Sequence, residues 1–290
     1  MKQFDILMLG NFAKDKLIVD GVEEIASGGG VYYGSVVVKR LGLDVGVITR
    51  LHPDDFSRLD ELRAEGIEVH ATAAEGTSGI ANFYDSNDME RRITKPIGFG
   101  GSYSLDDLPE WQSKVIMLTP LYVGEVDLAF LKGLADRAPV AMDIQGFIRV
   151  PRTDHLVFEP WLQMGEGLKY VTYLKVDRAE AEFITGKDDL EAAARQLASF
   201  GPKEIVLTQS SGITAYAGGQ FYSAPFTPRS LAGRTGRGDT CFSTYIAMRL
   251  SSDPATACQW AGVITSLKQE KPGPWRGKRS EVKKILATEK

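Results

Sequence analysis

Short apolar runs alternate with longer amphipathic stretches along most of the chain. Apolar positions recur at helical spacing in the longer stretches, and the short runs have the length and composition of buried strands. Strands are predicted at residues 4–10, 44–49, 67–71, 114–118, 140–143, 168–174 and 204–208. Helices are predicted at residues 31–41, 56–65, 126–137, 178–184, 190–200, 239–250 and 254–269. This alternation predicts an α/β fold with a mostly parallel sheet that helices cover on both faces.

Pairs of alternating segments around turn residues interrupt this order. The first pair flanks Gly21, the second flanks Ser86-Asn87-Asp88, and the third flanks Gly218-Gly219. The paired segments are residues 16–20 with 22–26, 80–85 with 90–94, and 214–217 with 220–223. Glycine and small polar residues favour tight turns between antiparallel strands. We therefore expect hairpins, the first two of which form a small antiparallel sheet beside the main one.

Composition and charge narrow the function classes. The chain has 290 residues, of which 43% are hydrophobic and 25% charged, as is typical of globular proteins. We expect a single domain over residues 1–290. The formal net charge of −4 lacks the basic excess of a nucleic-acid-binding protein. No apolar run approaches the roughly 20 residues of a membrane span, and Asp5 interrupts any signal-peptide core, so we expect a cytoplasmic enzyme with no membrane partner.

The strongest chemical signal is the sequence Thr-Gly-Arg-Gly-Asp-Thr-Cys-Phe at residues 235–242. Gly236 and Gly238 flank Arg237 just before a predicted helix, so successive backbone N–H groups can converge on one point. The helix dipole adds positive charge there, which favours a phosphate group. Asp239 could accept a proton from a substrate hydroxyl. An ordinary loop with Asp239 as the helix cap is an equally good interpretation of the spacing alone.

Three further segments carry candidate ligand-binding residues. Gly28-Gly29-Gly30 precedes a predicted helix without the G-x-G-x-x-G pattern, and it indicates either a close backbone approach to a ligand or a flexible connection. Asp15 follows the first strand and could bind hydroxyl groups, although a solvated hairpin acid is the more common case. Asp177 and Glu180 share one helix face, which suits either a magnesium–water shell or helix capping.

Taken together, four ordered segments resemble the PfkB family of the ribokinase superfamily. Gly28-Gly29 followed by Arg-Leu-Gly at 40–42 is similar to its di-glycine element. Residues 174–186 resemble its Asn-x-x-Glu segment, and residues 207–212 resemble its Thr-x-Gly-Ser-x-Gly nucleotide loop. Residues 235–242 resemble the C-terminal signature Asp-Thr-x-Gly-Ala-Gly-Asp-x-Phe. The resemblance extends from about residue 4 to about residue 273.

The resemblance implies ATP-dependent phosphorylation of an alcohol by a ribokinase-like three-layer α/β/α fold, with ATP and Mg²⁺ as cofactors. It implies a small antiparallel β lid formed by about residues 13–27 and 78–96, which often builds a homodimer. In this family the residue that matches Asp239 is the catalytic base, and the backbone amides of Gly236, Arg237 and Gly238 form an anion hole.

The resemblance also implies a role for residues in the other segments. Those expected at the acceptor substrate are Asn11, Asp15, Gly28, Gly29 and Tyr33, with Gln145 and Arg149 shaping the pocket. Those expected at the nucleotide are Asp177, Thr208, Ser210, Gly212 and Gly273. Residues 271–274 lie where the family places the adenine. Glu180 matches the glutamate that orders Mg²⁺ through water.

Several positions depart from the family pattern. Gly233 replaces the usual aspartate, Arg237 an alanine, Asp177 an asparagine and Gln209 a glycine. Tyr33 stands where many members have a sugar-binding asparagine, and an aromatic ring there could stack on a nucleobase. We expect a kinase for a sugar or sugar-like polyol. A nucleoside kinase of the same family and a non-catalytic ligand-binding protein on the kinase fold remain alternatives.

Overall fold

The computed structural model describes residues 2–85 and 88–288. The strands are β1 (Lys2–Gly10), β2 (Ala13–Val19), β3 (Val22–Gly28), β4 (Val45–Leu51), β5 (Glu68–Ala73), β6 (Gly79–Asp85), β7 (Asp88–Ile97), β8 (Trp111–Thr119), β9 (Val140–Asp143), β10 (Arg149–Pro151), β11 (Leu156–Phe158), β12 (Tyr173–Asp177), β13 (Glu204–Gln209), β14 (Gly212–Ala217) and β15 (Gln220–Pro225). The helices are α1 (Gly30–Arg40), α2 (Asp60–Ala64), α3 (Leu128–Ala135), α4 (Gln145–Ile148), α5 (Met164–Gly167), α6 (Arg178–Thr185), α7 (Leu190–Ser199), α8 (Arg237–Arg249), α9 (Pro254–Gln269) and α10 (Arg279–Thr288). Within these described residues, no helix is long and apolar enough to span a lipid bilayer.

Nine strands form one large sheet in the order β15-β14-β13-β12-β9-β8-β1-β4-β5. All neighbours from β13 to β5 pair in parallel, and β14 and β15 add an antiparallel edge. Because side chains of a strand alternate between the two faces, Ile6 and Met8 of β1 join one buried cluster and Leu7 and Leu9 join the other. The first cluster packs under α1, α8 and α9, and the second under α3, α6 and α7. The predicted three-layer α/β fold is confirmed.

The two predicted hairpins form a second sheet of four strands, in the order β3-β2-β6-β7. Each hairpin is antiparallel, and the two meet where β2 pairs in parallel with β6. The parallel pairing of β2 with β6 follows from the chain connections. Strands β1 and β5 run in the same direction, and β1 leads into the hairpin β2–β3 while β5 leads into the hairpin β6–β7. The predicted turn at 86–87 lies outside the described residues.

Two predicted elements differ from the structure. The helix expected at 56–65 is a 3₁₀ helix, Pro53–Leu59, followed by the short α2. The strand expected at 168–174 is a 3₁₀ turn, Leu168–Tyr170, and the true strand β12 begins at Tyr173. Leu168 and Val171 are buried below the sheet, which explains the misleading apolar pattern. Elements β10, β11, α4, α5 and α10 were not predicted, because each is short or weakly apolar.

Candidate active site

A cleft of about 270 Å³ lies at the carboxyl edge of the large sheet. Asn11 follows β1, Asp143 ends β9 and Asp177 ends β12, and all three line the cleft. The first residues of α1 and α8 and the adjacent strands β2 and β6 complete its walls. Ligands of open α/β sheets bind at this edge, so the cleft is the candidate active site.

Most residues predicted for the site line this cleft. They are Asn11, Asp15, Gly29, Tyr33, Gln145, Arg149, Asp177, Thr208, Gly236, Arg237, Gly238 and Asp239. Gly28, Glu180, Ser210, Gly212 and Gly273 lie outside its lining. The structure therefore brings the predicted base, anion hole and acceptor residues together. Three of the five residues predicted to hold a nucleotide, Ser210, Gly212 and Gly273, lie outside the lining of this cleft.

The start of α8 has the geometry of an anion site. Gly236 is the residue before the helix, and its φ of 79° lies in the left-handed region. The first intrahelical bond runs from the Thr240 N–H to the Gly236 carbonyl oxygen at 3.0 Å. The Arg237 amide, which was predicted to belong to the anion hole, instead donates to the Arg234 carbonyl oxygen at 3.3 Å. The amides of Gly238 and Asp239 precede the first intrahelical bond, so they point out of the helix end with the positive end of its dipole.

The ring of Tyr33 packs against the turn at Gly236, just before α8. A Cβ atom built on Gly236 would lie 2.3 Å from the ring, so the backbone rests directly on the aromatic face. Lys268 at the end of α9 lies 5.0 Å from the ring centroid and donates a hydrogen bond to the Gly233 carbonyl oxygen at 2.6 Å. Burial lowers the pKa of Lys268 to about 8, while the charge of Asp239 opposes this shift. Nothing in the sequence distinguished Lys268 from any lysine in a last helical turn.

Asp239 lies where the charges of the cleft converge. Burial raises the pKa of its carboxyl group, and the positive charges of Lys175, Arg149 and Lys268 partly offset that rise. The carboxyl group is thus a stronger base than an exposed aspartate, yet the surrounding cations keep its charged form accessible. This combination suits a group that accepts a proton from a hydroxyl.

Asp15 and Asn11, both predicted for the acceptor, line the cleft. Asp15 is buried on β2, and its Oδ1 accepts a hydrogen bond from the Ile80 amide at 2.9 Å. A Cβ atom on Gly28 would lie 2.1 Å from Asp15 Oδ2, so Gly28 positions this carboxylate rather than lining the cleft. Burial raises the pKa of Asp15 to about 6, and the nearby Asp239 adds to the rise. Asn11 is buried too, and its side chain lies beside the carboxyl group of Glu125, whose pKa burial raises and this neighbour partly lowers.

Asp177 and Glu180 cap α6 reciprocally. Asp177 Oδ1 accepts from the Glu180 amide at 2.8 Å, and Glu180 Oε2 accepts from the Asp177 amide at 2.7 Å. Glu180 Oε1 is buried without a hydrogen-bond partner in the described part of the chain. Burial raises the pKa of Glu180 to about 7. The capping role therefore uses Oε2, whereas Oε1 lies 3.7 Å from the guanidinium group of Arg149 without a hydrogen bond.

A direct cage of protein ligands for a metal ion is absent from residues 2–85 and 88–288, which contain no group of three or more suitable side chains. Mg²⁺ usually keeps several of its waters and binds through one or two carboxylates and the phosphates of a substrate. Asp177 at the cleft and the carboxylate of Glu180, which Arg149 also contacts, would hold Mg²⁺ in that mode through water.

Sequence reasoning missed Lys175 on β12. Its Nζ lies 3.0 Å from Asp143 Oδ2 and 3.5 Å from Glu180 Oε2, and it lines the cleft. The sequence did carry one signal for it, because Lys175 is a charged residue between apolar neighbours of a buried strand. A buried charge needs an oppositely charged partner, which indicates a cluster of charged groups. Because the strand was predicted at 168–174, Lys175 fell just beyond its end.

The segment between β15 and α8 lies directly on the end of α9. The Gly233 amide donates to the Gln269 carbonyl oxygen at 2.7 Å, and the Arg229 guanidinium pairs with the Glu270 carboxylate at 2.9 Å. A Cβ atom on Gly233 would lie 1.8 Å from the Lys271 carbonyl oxygen. A residue with a Cβ atom could not make this contact, which explains why glycine stands at position 233 where the family signature usually has aspartate.

Comparison with known proteins identifies the family. A model of the pfkB family of carbohydrate kinases matches residues 26–275. The chain belongs to the pfkB family. A pyrophosphate-dependent kinase of the ribokinase family, solved with a pyrophosphate analog and myo-inositol, is 35% identical, with a TM-score of 0.88 over 97% of this chain and 99% of that one. The cytidine kinase of Thermococcus kodakarensis is 23% identical over 89% of this pfkB-family chain and 93% of its own length.

The fold is shared more widely. A ribokinase-like protein from E. coli, solved with ATP and Mg²⁺, has a TM-score of 0.76 at 16% identity and covers 99% of this chain and 100% of that one.

The match of the pfkB model to residues 26–275 confirms the predicted family. The protein is a phosphotransferase that uses an alcohol group as acceptor.

Proposed function

We propose that this pfkB-family kinase transfers a phosphoryl group from inorganic pyrophosphate to a hydroxyl group of a cyclic polyol such as myo-inositol. The observation that carries the proposal is the 35% identity, over 97% of the chain, with a pyrophosphate-dependent kinase solved with a pyrophosphate analog and myo-inositol.

Local geometry favours pyrophosphate over the ATP expected from the family resemblance. Of the residues predicted for the nucleotide, Asp177 and Thr208 line the cleft, whereas Ser210, Gly212 and Gly273 do not. The backbone of Gly233 packs against Lys271, at the start of the segment where the resemblance locates the adenine. A donor that consists of phosphates alone needs only the charged part of the site.

The acceptor side favours a polyol over a nucleoside. Asp15 and Asn11 both line the cleft and offer a carboxylate and an amide, which suit the donor and acceptor groups of adjacent hydroxyls. The Tyr33 ring was a candidate platform for a nucleobase. Its exposed fraction is only 4%, because it packs against Gly236, Tyr32 and Lys268, so little of the ring is left to stack on a base.

The proposed chemistry is an in-line displacement. The acceptor oxygen forms a new bond to the terminal phosphorus, the bond from that phosphorus to the bridging oxygen breaks, and its electron pair leaves with inorganic phosphate. The hydroxyl proton passes to the Asp239 carboxylate. The amides at the start of α8 stabilise the charge that develops on the transferred group, and removal of one such donor typically costs about 10²–10³ in rate. Mg²⁺ held through water at Glu180 would neutralise charge on the donor.

We expect turnover with pyrophosphate and myo-inositol, followed by ³¹P NMR of the products. The panel crosses two donors, pyrophosphate and ATP, with myo-inositol, ribose and cytidine, each with Mg²⁺. Formation of inositol phosphate and inorganic phosphate from pyrophosphate alone is the expected result. Turnover only with ATP would overturn the proposed donor, and phosphorylation only of ribose or cytidine would overturn the proposed acceptor.

We further propose a homodimer that forms through the small sheet of strands β2, β3, β6 and β7. Val22 on β3 is 73% exposed and Ile93 on β7 is 63% exposed, and exposed apolar groups on a sheet favour association. Sedimentation velocity is expected to show a dimer that Val22→Asp with Ile93→Asp converts to a monomer. Leu162→Asp is the matched control, because Leu162 is 95% exposed outside this sheet. A wild-type monomer at micromolar concentration would contradict the proposal.

A further inference from the structure

Lys175 is a buried cation at the centre of the cleft, and neither the resemblance nor the proposed reaction gives it a role. It lies on β12, one of the central strands of the large sheet, and its ammonium group bonds to Asp143 and Glu180. An ammonium group has three N–H donors. Within residues 2–85 and 88–288 three carboxylate oxygens lie near its Nζ, two of Asp143 at 3.0 and 3.2 Å and one of Glu180 at 3.5 Å. Lys175 also lines the cleft, so an anion bound there would share its N–H donors with these carboxylates.

The side chain of Lys175 also lies next to the start of α8. A Cβ atom built on Gly238 would lie 3.6 Å from Lys175 Cε and 3.7 Å from its Nζ. The ammonium group is therefore a neighbour of the amides that form the anion site. An anion held by these amides would lie between a helix end with partial positive charge and a full positive charge fixed in the wall of the cleft.

Two buried carboxylates balance the charge of Lys175. Burial alone would lower the pKa of its ammonium group, but the charges of Asp143 and Glu180 act in the opposite direction and hold the pKa above its usual value. The two carboxylates also fix the long side chain in one position. A preorganised cation of this kind loses little entropy when it binds a phosphate.

We propose that Lys175 binds the donor, with its ammonium group contacting the transferred phosphoryl group while the amides of Gly238 and Asp239 contact the same group from the helix end. The proposal rests on the proposed function, since it takes pyrophosphate as the donor. Asp143 and Glu180 then act as positioning residues for the lysine. The competing interpretation is that Lys175 only neutralises the two buried carboxylates.

Calorimetric titration with methylenediphosphonate, a pyrophosphate analog that cannot be hydrolysed, separates the two interpretations. In Lys175→Met the affinity for the analog is expected to fall by about 10- to 100-fold, the range of a lost hydrogen bond to a charged group. The affinity for myo-inositol is expected to stay within about twofold. Lys114→Met is the control for net charge, because Lys114 pairs with Asp5 near the surface. An equal loss of both affinities, or no loss of either, would overturn the proposal.

Two further variants keep the test decisive if Lys175→Met fails to fold. Lys175→Arg retains the positive charge and is expected to bind the analog better than Lys175→Met. Lys175→Met combined with Asp143→Asn removes the lysine together with one buried carboxylate, and it is compared with Asp143→Asn alone. Loss of analog binding in the double variant but not in Asp143→Asn supports donor binding by Lys175. Equal analog binding in both would overturn it.

The outcome for Lys175 is separate from the outcome for the proposed function. If the wild-type protein binds the analog and Lys175→Met binds it equally well, the lysine contact is wrong and the pyrophosphate donor stands. If the wild-type protein binds the analog through Lys175 but phosphorylates no polyol, the acceptor is wrong and the contact stands. A wild-type protein that does not bind the analog overturns the donor and the contact together.

Discussion

Replacing Asp239 with asparagine is expected to lower kcat by about 10²–10⁴-fold, the usual contribution of a positioned general base. Asparagine has nearly the same shape but cannot accept the hydroxyl proton at its amide. Because burial raises the pKa of the Asp239 carboxyl, the charged form is disfavoured in the fold, and we expect Asp239→Asn to unfold at the same temperature as the wild type or higher. The measurements are kcat with pyrophosphate and myo-inositol and a thermal unfolding scan.

The controls separate chemistry from folding. Asp136→Asn, at the exposed end of α3, removes the same charge outside the cleft and is expected to keep kcat. In Asp239→Asn the affinity for myo-inositol is expected to persist, because Asp15 and Asn11 are unchanged. Full activity of Asp239→Asn would rule out this residue as the base.

The pH dependence follows from the same carboxyl group. A general base works only when it is deprotonated, so kcat is expected to fall as the pH falls through the pKa of Asp239. That pKa is raised by burial, so the acid limb should lie above the usual range of an aspartate. The pKa of Asp15 is raised to about 6, and protonation of Asp15 should weaken acceptor binding near that pH in kcat/KM. An acid limb of kcat at or below the usual range of an aspartate would contradict the assignment.

The candidate site could be predicted best from the sequence at positions where backbone atoms, rather than side chains, form its walls. The glycines before α8 and the pair Gly28-Gly29 were recognised because a close approach of backbone leaves few other choices of residue. The structure supports this at Gly28, whose missing side chain makes room for Asp15, and at Gly236, which rests on Tyr33. A pattern of glycines is local and can be read along the chain.

Contacts between distant segments could not be predicted in this way. Lys175, Asp143 and Glu180 meet because β9 and β12 are neighbours in the sheet, and a single sequence does not give the strand order. The contact of Gly233 with Lys271 joins two loops that are far apart along the chain, so the glycine resembled a simple departure from the family signature. A single sequence does not show that these two loops touch, so this contact could not enter the prediction of ATP as the donor.

Replacing Gly236 with alanine is expected to have the second largest effect, through two separate causes. The φ of 79° is one that alanine adopts at a cost of about 1–3 kcal/mol. In addition, the new Cβ atom would lie 2.3 Å from the Tyr33 ring, so the turn or the ring must move. Movement of this turn displaces the amides of Gly238 and Asp239. Since loss of one preorganised donor costs about 10²–10³ in rate, we expect kcat to fall by that factor or more.

Gly219→Ala is the matched control for the backbone cost alone. Gly219 has a φ of 83° in the turn between β14 and β15, and a Cβ atom there would have no neighbour within 4 Å. Both variants should lose stability in thermal unfolding, but only Gly236→Ala should lose kcat and affinity for methylenediphosphonate. If Gly236→Ala kept full activity with a loss of stability like that of Gly219→Ala, the start of α8 would not be the anion site. A loss of kcat in Gly236→Ala alone would tie phosphoryl transfer to the position of this one turn, because the two glycines have similar positive φ angles and differ in what their missing side chains would touch.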